Sequence, residues 1–307
     1  MSAGGGRIAI IAALLANAGI AVAKFIGYLI TGSSSMLAEG VHSVADTSNQ
    51  ALLLLGQKRA QREATQQHPF GYGRDRYFYS FVVALLLFSL GSVFALYEGI
   101  HKLASTEELT SPLVAIVILV VAIVLETLSF RTAIRESRPL KGNGTWWEFI
   151  RQSKTPELPV VLLEDAGALF GLVLALGGVG LSVLTGEVVW DAIGTLCIGV
   201  LLGVIAIILI IETKSLLIGE GSRPDELGRI RSAIVGDGVD RVIHIRTQYI
   251  GPDELLIGAK IAVPATMSTG EVARIINEAE ERIRSAVPAA RIIYLEPDLD
   301  RTPATRR

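Results

Sequence analysis

The chain has 307 residues, 50% of them hydrophobic and only 19% charged, with a formal net charge of −2. That is too apolar for an ordinary water-soluble protein and reads as a polytopic membrane protein, while the near-zero charge gives no support for a nucleic-acid partner. The single cysteine, Cys197, excludes an intrachain disulfide and a thiolate metal cluster.

Residues 8–30 have about the length of a transmembrane helix at roughly 20 residues, interrupted by Asn17 and Lys24, and form the first expected span. This run is too long for the apolar part of a signal peptide and is expected to be retained. After a turn at 31–35, residues 36–56 form the second span. It carries Glu39, His42, Asp46 and Asn49 at intervals of three and four, so on a helix they share one face. An unpaired His or Asp inside a bilayer costs several kcal/mol, and such residues mark ion pathways or proton relays. The alternative is a helix end that snorkels to the interface, although two further turns of apolar helix follow.

A hydrophilic connection at 58–76 leads to a third span at 77–100. Pro112 suits a first helical turn, and 113–130 with its polar tail is the fourth span. Residues 131–156 read as a basic, Gly-containing connection, with Trp146 and Trp147 where an interfacial aromatic pair would sit. Residues 158–184 and 189–211 are the fifth and sixth spans. The loops on the side of the N-terminus hold Lys58, Arg59, Arg62, Arg74, Arg76, Arg131, Arg135, Arg138, Lys141, Arg151 and Lys154, whereas the opposite loops hold essentially Lys102. The positive-inside rule therefore puts both termini and both long loops in the cytoplasm.

Composition changes abruptly after Glu212. Residues 224–235 read as a helix with Pro at its start, 241–249 and 255–263 as strands around a Gly-Pro-Asp turn, 268–286 as a capped helix, and 291–295 as a last strand. The expected fold is thus a polytopic α-helical membrane domain of six transmembrane helices, residues 1–218, plus a small cytoplasmic α+β domain in the order α-β-β-α-β, residues 219–307. A core that small is expected to be helped by dimerisation.

These features together resemble the cation diffusion facilitator family of metal/proton antiporters, nearest its zinc transporter nine branch. The resemblance rests on the His-Ser-Val-Ala-Asp element at 42–46, His68-Pro-Phe-Gly-Tyr-Gly-Arg74 in the next loop, Glu164-Asp165 in the fifth span, and the terminal α-β-β-α-β domain. It implies a mid-membrane site built from two residues on the second span and two on the fifth, each pair four apart. His42 and Asp46 match the first pair and Asp165 the last position, but the remaining position holds Val161, which cannot ligate an ion. Glu164 is the obvious substitute, yet it lies about 100° around the helix from Asp165. Water, Ser43 or Glu39 are the other ways to complete the shell.

One imidazole and two carboxylates suit Zn²⁺, and Mn²⁺, Fe²⁺ or Co²⁺ accept the same donors. The resemblance further implies no prosthetic group, protons as counter-ion, a homodimer in the lipid bilayer, and a minor metal-relay role for His68. It also places His244 and Glu296 where some members hold zinc in the cytoplasmic domain. Lys260 and Tyr294 at the matching positions are not a ligand set, so that domain is expected to dimerise without metal.

The expected function is efflux of a divalent cation, zinc first, by proton-coupled antiport from the cell (plasma) membrane. A metal-conducting channel or a non-transporting scaffold with a degraded site are the alternatives. No nucleophile and base pair, phosphate loop or HExxH element points to an enzyme.

Overall fold

The computed structural model describes residues 7–31, 34–104, 112–187, 189–236 and 238–299, without the side chains of residues 27–28, 30–31, 34–42, 45 and 112. The chain divides into two compact units, Met1–Arg62 with Asp75–Lys214, and Glu63–Arg74 with Ser215–Arg307.

The first unit is helical. Its elements are α1 (Arg7–Thr31), α2 (Ser34–Ala60), α3 (Asp75–Leu86), a π-helical segment (Leu87–Val93), α4 (Phe94–Ala104), α5 (Pro112–Lys141), α6 (Trp146–Gln152), α7 (Glu157–Thr185) and α8 (Val189–Ile218). Among the described residues, five stretches are long and apolar enough to cross a membrane: Arg7–Ile26, Asp75–Ala104, Leu113–Lys141, Glu157–Thr185 and Val189–Ile218. In hydrocarbon every backbone N–H and C=O must be satisfied within the segment, which is why apolar runs of this length are helices. Where they meet, Ile10, Leu53, Val83, Leu158, Val161 and Leu209 form a core contributed by α1, α2, α3, α7 and α8.

The basic connection expected from residue 131 onward is instead helix to Lys141. At 1.5 Å per residue, 30 residues outrun a hydrocarbon core of about 30 Å, so the final turns can carry Arg131, Arg135 and Arg138 beyond it. Pro139 then removes a backbone donor, and the helix stops at Gly142, whose φ of 55° is left-handed and whose N–H caps the Arg138 carbonyl at 3.2 Å. The tryptophans open α6, capped by Thr145 and Glu148 acting on each other's backbone N–H.

Helix packing uses small residues. A Cβ at Gly167 would fall 2.6 Å from Ile205 Cδ1, and one at Gly178 2.9 Å from the Trp190 carbonyl, so α7 and α8 approach closely at these glycines; at Gly177 nothing lies within 4 Å. In the π-helical segment, the Ser92 hydroxyl donates to the Gly199 carbonyl of α8 at 2.8 Å, tying the locally widened turn to that helix.

The second unit contains α9 (Pro224–Ile234), β1 (Arg241–Gly251), β2 (Glu254–Ala262), α10 (Thr269–Ala286) and β3 (Ala290–Asp298). The sheet runs β1-β2-β3, with β1 antiparallel and β3 parallel to β2. Alternate residues Leu255, Ile257, Ala259 and Ile261 of β2 are buried together with Ile230 and Ile234 of α9 and Ile275 and Ile283 of α10, so the two helices cover one face of the sheet. The segment Glu63–Arg74 belongs to this unit. Its Gly73 packs backbone to backbone on the β1–β2 hairpin, where a Cβ would meet Gly251 Cα at 2.9 Å.

Candidate metal-transport site

Helix α2 places Asp46, Asn49 and Gln50 within one further turn of each other. The backbone of Glu39 and His42 lies in the same helix, but their side chains fall outside those described, so the roles expected of these two rest on sequence. Asn49 and Gln50 are buried and both donate to one carboxylate, Asn49 Nδ2 to Glu164 Oε1 at 3.3 Å and Gln50 Nε2 to Glu164 Oε2 at 2.7 Å. Glu164 therefore faces α2 and is held by two amide donors.

Asp165 faces a different helix. It accepts from Ser129 Oγ of α5 at 2.7 Å and shares a side-chain hydrogen bond with Glu126, one turn earlier on α5. Sequence neighbours about 100° apart around α7 thus hold two different helices. Glu126 is 2% exposed and Asp165 1%. Glu126 lies within electrostatic reach of Asp165, Glu164 and Asp46, so four carboxyl groups from three helices gather inside the bundle. Carboxylates buried in this way are costly unless paired, hydrogen-bonded or bound to a cation. Val161, one turn before Asp165, is fully buried in the apolar core and offers no donor.

Among the described residues, no three His, Cys, Asp or Glu side chains converge closely enough to hold a metal ion as a ready-made group. Motif spacing misses Glu126, although a lone ionisable residue within the apolar run of α5 is a usable signal. Ser129, which orients Asp165, leaves no comparable trace.

The accessory positions are differently placed. His68 is exposed in a turn closed by reciprocal backbone bonds with Thr65, its ring 4.6 Å from that of Tyr72. In the sheet, His244 of β1 pairs with Lys260 of β2, which in turn pairs with Glu296 of β3. Lys260 Nζ lies 2.9 Å from Glu296 and 3.2 Å from Asp298, and the hydrogen bonds to these two carboxylates push its ammonium above the usual lysine value. A cation already stands between the two candidate ligands.

The family profile of the cation efflux transmembrane domain matches residues 10–218, and that of the cation efflux protein cytoplasmic domain matches residues 223–298. The chain belongs to the cation diffusion facilitator family. It is a member of a family of transporters rather than enzymes, with an apolar helical membrane domain followed by a domain of the family's dimerisation type.

The mitochondrial proton-coupled zinc antiporter SLC30A9 of Xenopus laevis is 35% identical over 241 residues, 78% of this chain and 43% of that protein. Its human counterpart is 32% identical over 223 residues, 72% of this chain and 39% of that protein. Metal tolerance protein C4 of Arabidopsis thaliana is 30% identical over 258 residues, 82% of this chain and 56% of that protein. The chain thus spans less than half the length of these zinc antiporters. The antiporters named here are mitochondrial, so the expected cell-membrane location of this facilitator draws no support from them.

Proposed function

We propose that the chain moves a divalent cation across a membrane in exchange for protons, with zinc its first substrate and with His42, Asp46 and Asp165 as ligands. The observation that carries this reading is the burial of Asp165 beside further carboxyls in an apolar helix of a cation efflux domain. Burial of that kind stores unfavourable electrostatics that a divalent cation relieves. Binding requires a neutral imidazole and ionised carboxylates, so the ion displaces protons and protons displace the ion; one site then exchanges two ligands. The proton-coupled zinc antiport named for the SLC30A9 relatives supports the same coupling here.

In this reading α2 is the second of six spans, joining the five apolar stretches, the termini and the two basic loops are cytoplasmic, and residues 219–307 form a dimerising domain with Lys260 in place of a metal. Glu164 has a secondary role because Asn49 and Gln50 already hold it. Proteoliposomes test the proposal through zinc flux with and without an imposed pH gradient. Flux that follows the gradient supports antiport. Flux indifferent to pH replaces it with a channel, and absence of flux for zinc, manganese and iron replaces it with a scaffold.

A further inference from the structure

We propose that Glu126 of α5 is itself a ligand of the transported cation, a carboxylate supplied by a third helix where Val161 leaves the shell one donor short. This rests on the antiport reading above and deepens it.

Three observations carry the inference. First, Glu126 and Ser129 stand three apart on α5 and both engage Asp165, so this face of α5 wraps the ligand that α7 contributes. Second, two acids with described side chains are placed to replace Val161, and they are unequally committed. Both oxygens of Glu164 accept from amides of α2, whereas the side-chain bond found for Glu126 is to Asp165, a contact that a cation between the two carboxylates would replace. Third, Gln50 is completely buried, and with its amide nitrogen given to Glu164 its Oε1 has no hydrogen-bond partner among the described residues. A spare acceptor beside gathered carboxyls is an arrangement that a bound cation would satisfy.

The chemistry follows from the donor types. With Glu126 included, the shell is one imidazole nitrogen and carboxylate oxygens from α2, α5 and α7. Each added carboxylate favours harder ions, and imidazole favours zinc, so Glu126 widens the range of metals toward Mn²⁺. A residue that merely positioned Asp165 would affect all metals alike, and a glutamine, which keeps a hydrogen bond to Asp165, would replace it.

The test is calorimetric titration of the full-length protein in nanodiscs with ZnCl₂ and with MnCl₂, for the wild type, Asp165→Asn, Glu126→Gln and Glu126→His, with thermal unfolding as the folding check. Glu126→Gln is expected to weaken Mn²⁺ by at least about tenfold and Zn²⁺ by less, and Glu126→His to raise the preference for Zn²⁺ over Mn²⁺. Wild-type affinity in Glu126→Gln, or an equal loss for both metals, overturns the inference. If Glu126→Gln does not fold, Glu126→His decides it: an unchanged zinc-to-manganese ratio overturns it and a raised ratio supports it. A wild type with no site for either metal instead overturns the transport reading, and a wild-type site lost in Asp165→Asn but indifferent to Glu126 leaves that reading intact.

Discussion

Arg76 at the start of α3 and Glu157 at the start of α7 form a bidentate ion pair buried on both sides, with Nε on one carboxylate oxygen and Nη2 on the other at 3.0 Å. The pair ties the foot of the helix that carries Glu164 and Asp165 to its neighbour. Removing one member of a buried pair strands the other, at a cost of about 3–5 kcal/mol. Arg76→Ala and Glu157→Gln should each lower thermal stability, and Arg76→Lys should recover only part of it, because an ammonium cannot match the two-point contact. Unfolding of the purified protein with wild-type stability in Arg76→Ala would show that the pair does not hold α7.

Asp165 and Glu164 are adjacent acids with different surroundings, and their variants should separate accordingly. Asp165→Asn removes the carboxylate proposed above as a ligand and is expected to abolish zinc flux while the protein stays folded. Glu164→Gln keeps a hydrogen-bonding group between α7 and α2 and exchanges one buried charge for an amide, so its loss of flux should be smaller. The reverse ranking in proteoliposome assays would mean that Glu164 faces the ion.

In the second unit, the Tyr249 hydroxyl donates to both oxygens of Glu226, each at 2.9 Å, linking β1 to α9 in a buried setting. Burial, then the neighbouring Glu226 charge, pushes the phenol above its usual value, so it stays a donor throughout the neutral range. Tyr249→Phe keeps the ring and leaves the carboxylate without this donor. A loss of about 1.5–3 kcal/mol is expected in denaturant unfolding of the domain, and a loss below about 0.5 kcal/mol would show that Glu226 finds other partners.

Glu271 closes a capping box at the start of α10, accepting from the Ser268 backbone N–H at 2.8 Å, and this bond holds its carboxyl below the usual value. An acid whose value is lowered by folding contributes stability above its unfolded value and loses it as pH falls through the lowered one. Amide exchange in the first turn of α10 should therefore speed up as pH is lowered beneath the ordinary glutamate range, after correction for intrinsic rates. Ser268→Ala should cost about 1 kcal/mol, and Glu271→Gln, which removes the titrating carboxyl, should flatten that pH response. An unchanged response in Glu271→Gln would mean that the box is not its source.

Local signals make the α-β-β-α-β order legible in the residues themselves. Pro224 marks the start of α9, and Ser268 with Glu271 marks the start of α10; the alternation in β2 reads directly as one buried face. The apolar runs mark the membrane helices for the same reason, since the requirement they meet is local. What stays hidden depends on distant residues. The Glu126–Asp165 contact spans two helices and is invisible to spacing within either one. The continuation of α5 through its arginines depends on where the hydrocarbon ends, and the widened turn at Leu87–Val93 is matched by Ser92 meeting Gly199 on α8. Val161 shows the converse. Its identity alone marks a position unable to ligate, and the structure adds that it is sealed in apolar core, so Val161→His is expected to overpack the bundle by about 1–3 kcal/mol instead of supplying an imidazole to the ion.

If one site exchanges metal for protons, every zinc ion that binds must expel protons from its ligands. Zinc titrated into the full-length protein in weakly buffered solution counts the protons released against the zinc bound. Proton release should be proportional to zinc binding, should rise as pH is lowered toward the ligands' protonated range, and should be lost together with tight binding in Asp165→Asn. Tight zinc binding that releases no protons at any pH between about 5 and 8, an interval that brackets histidine titration, would rule the exchange out.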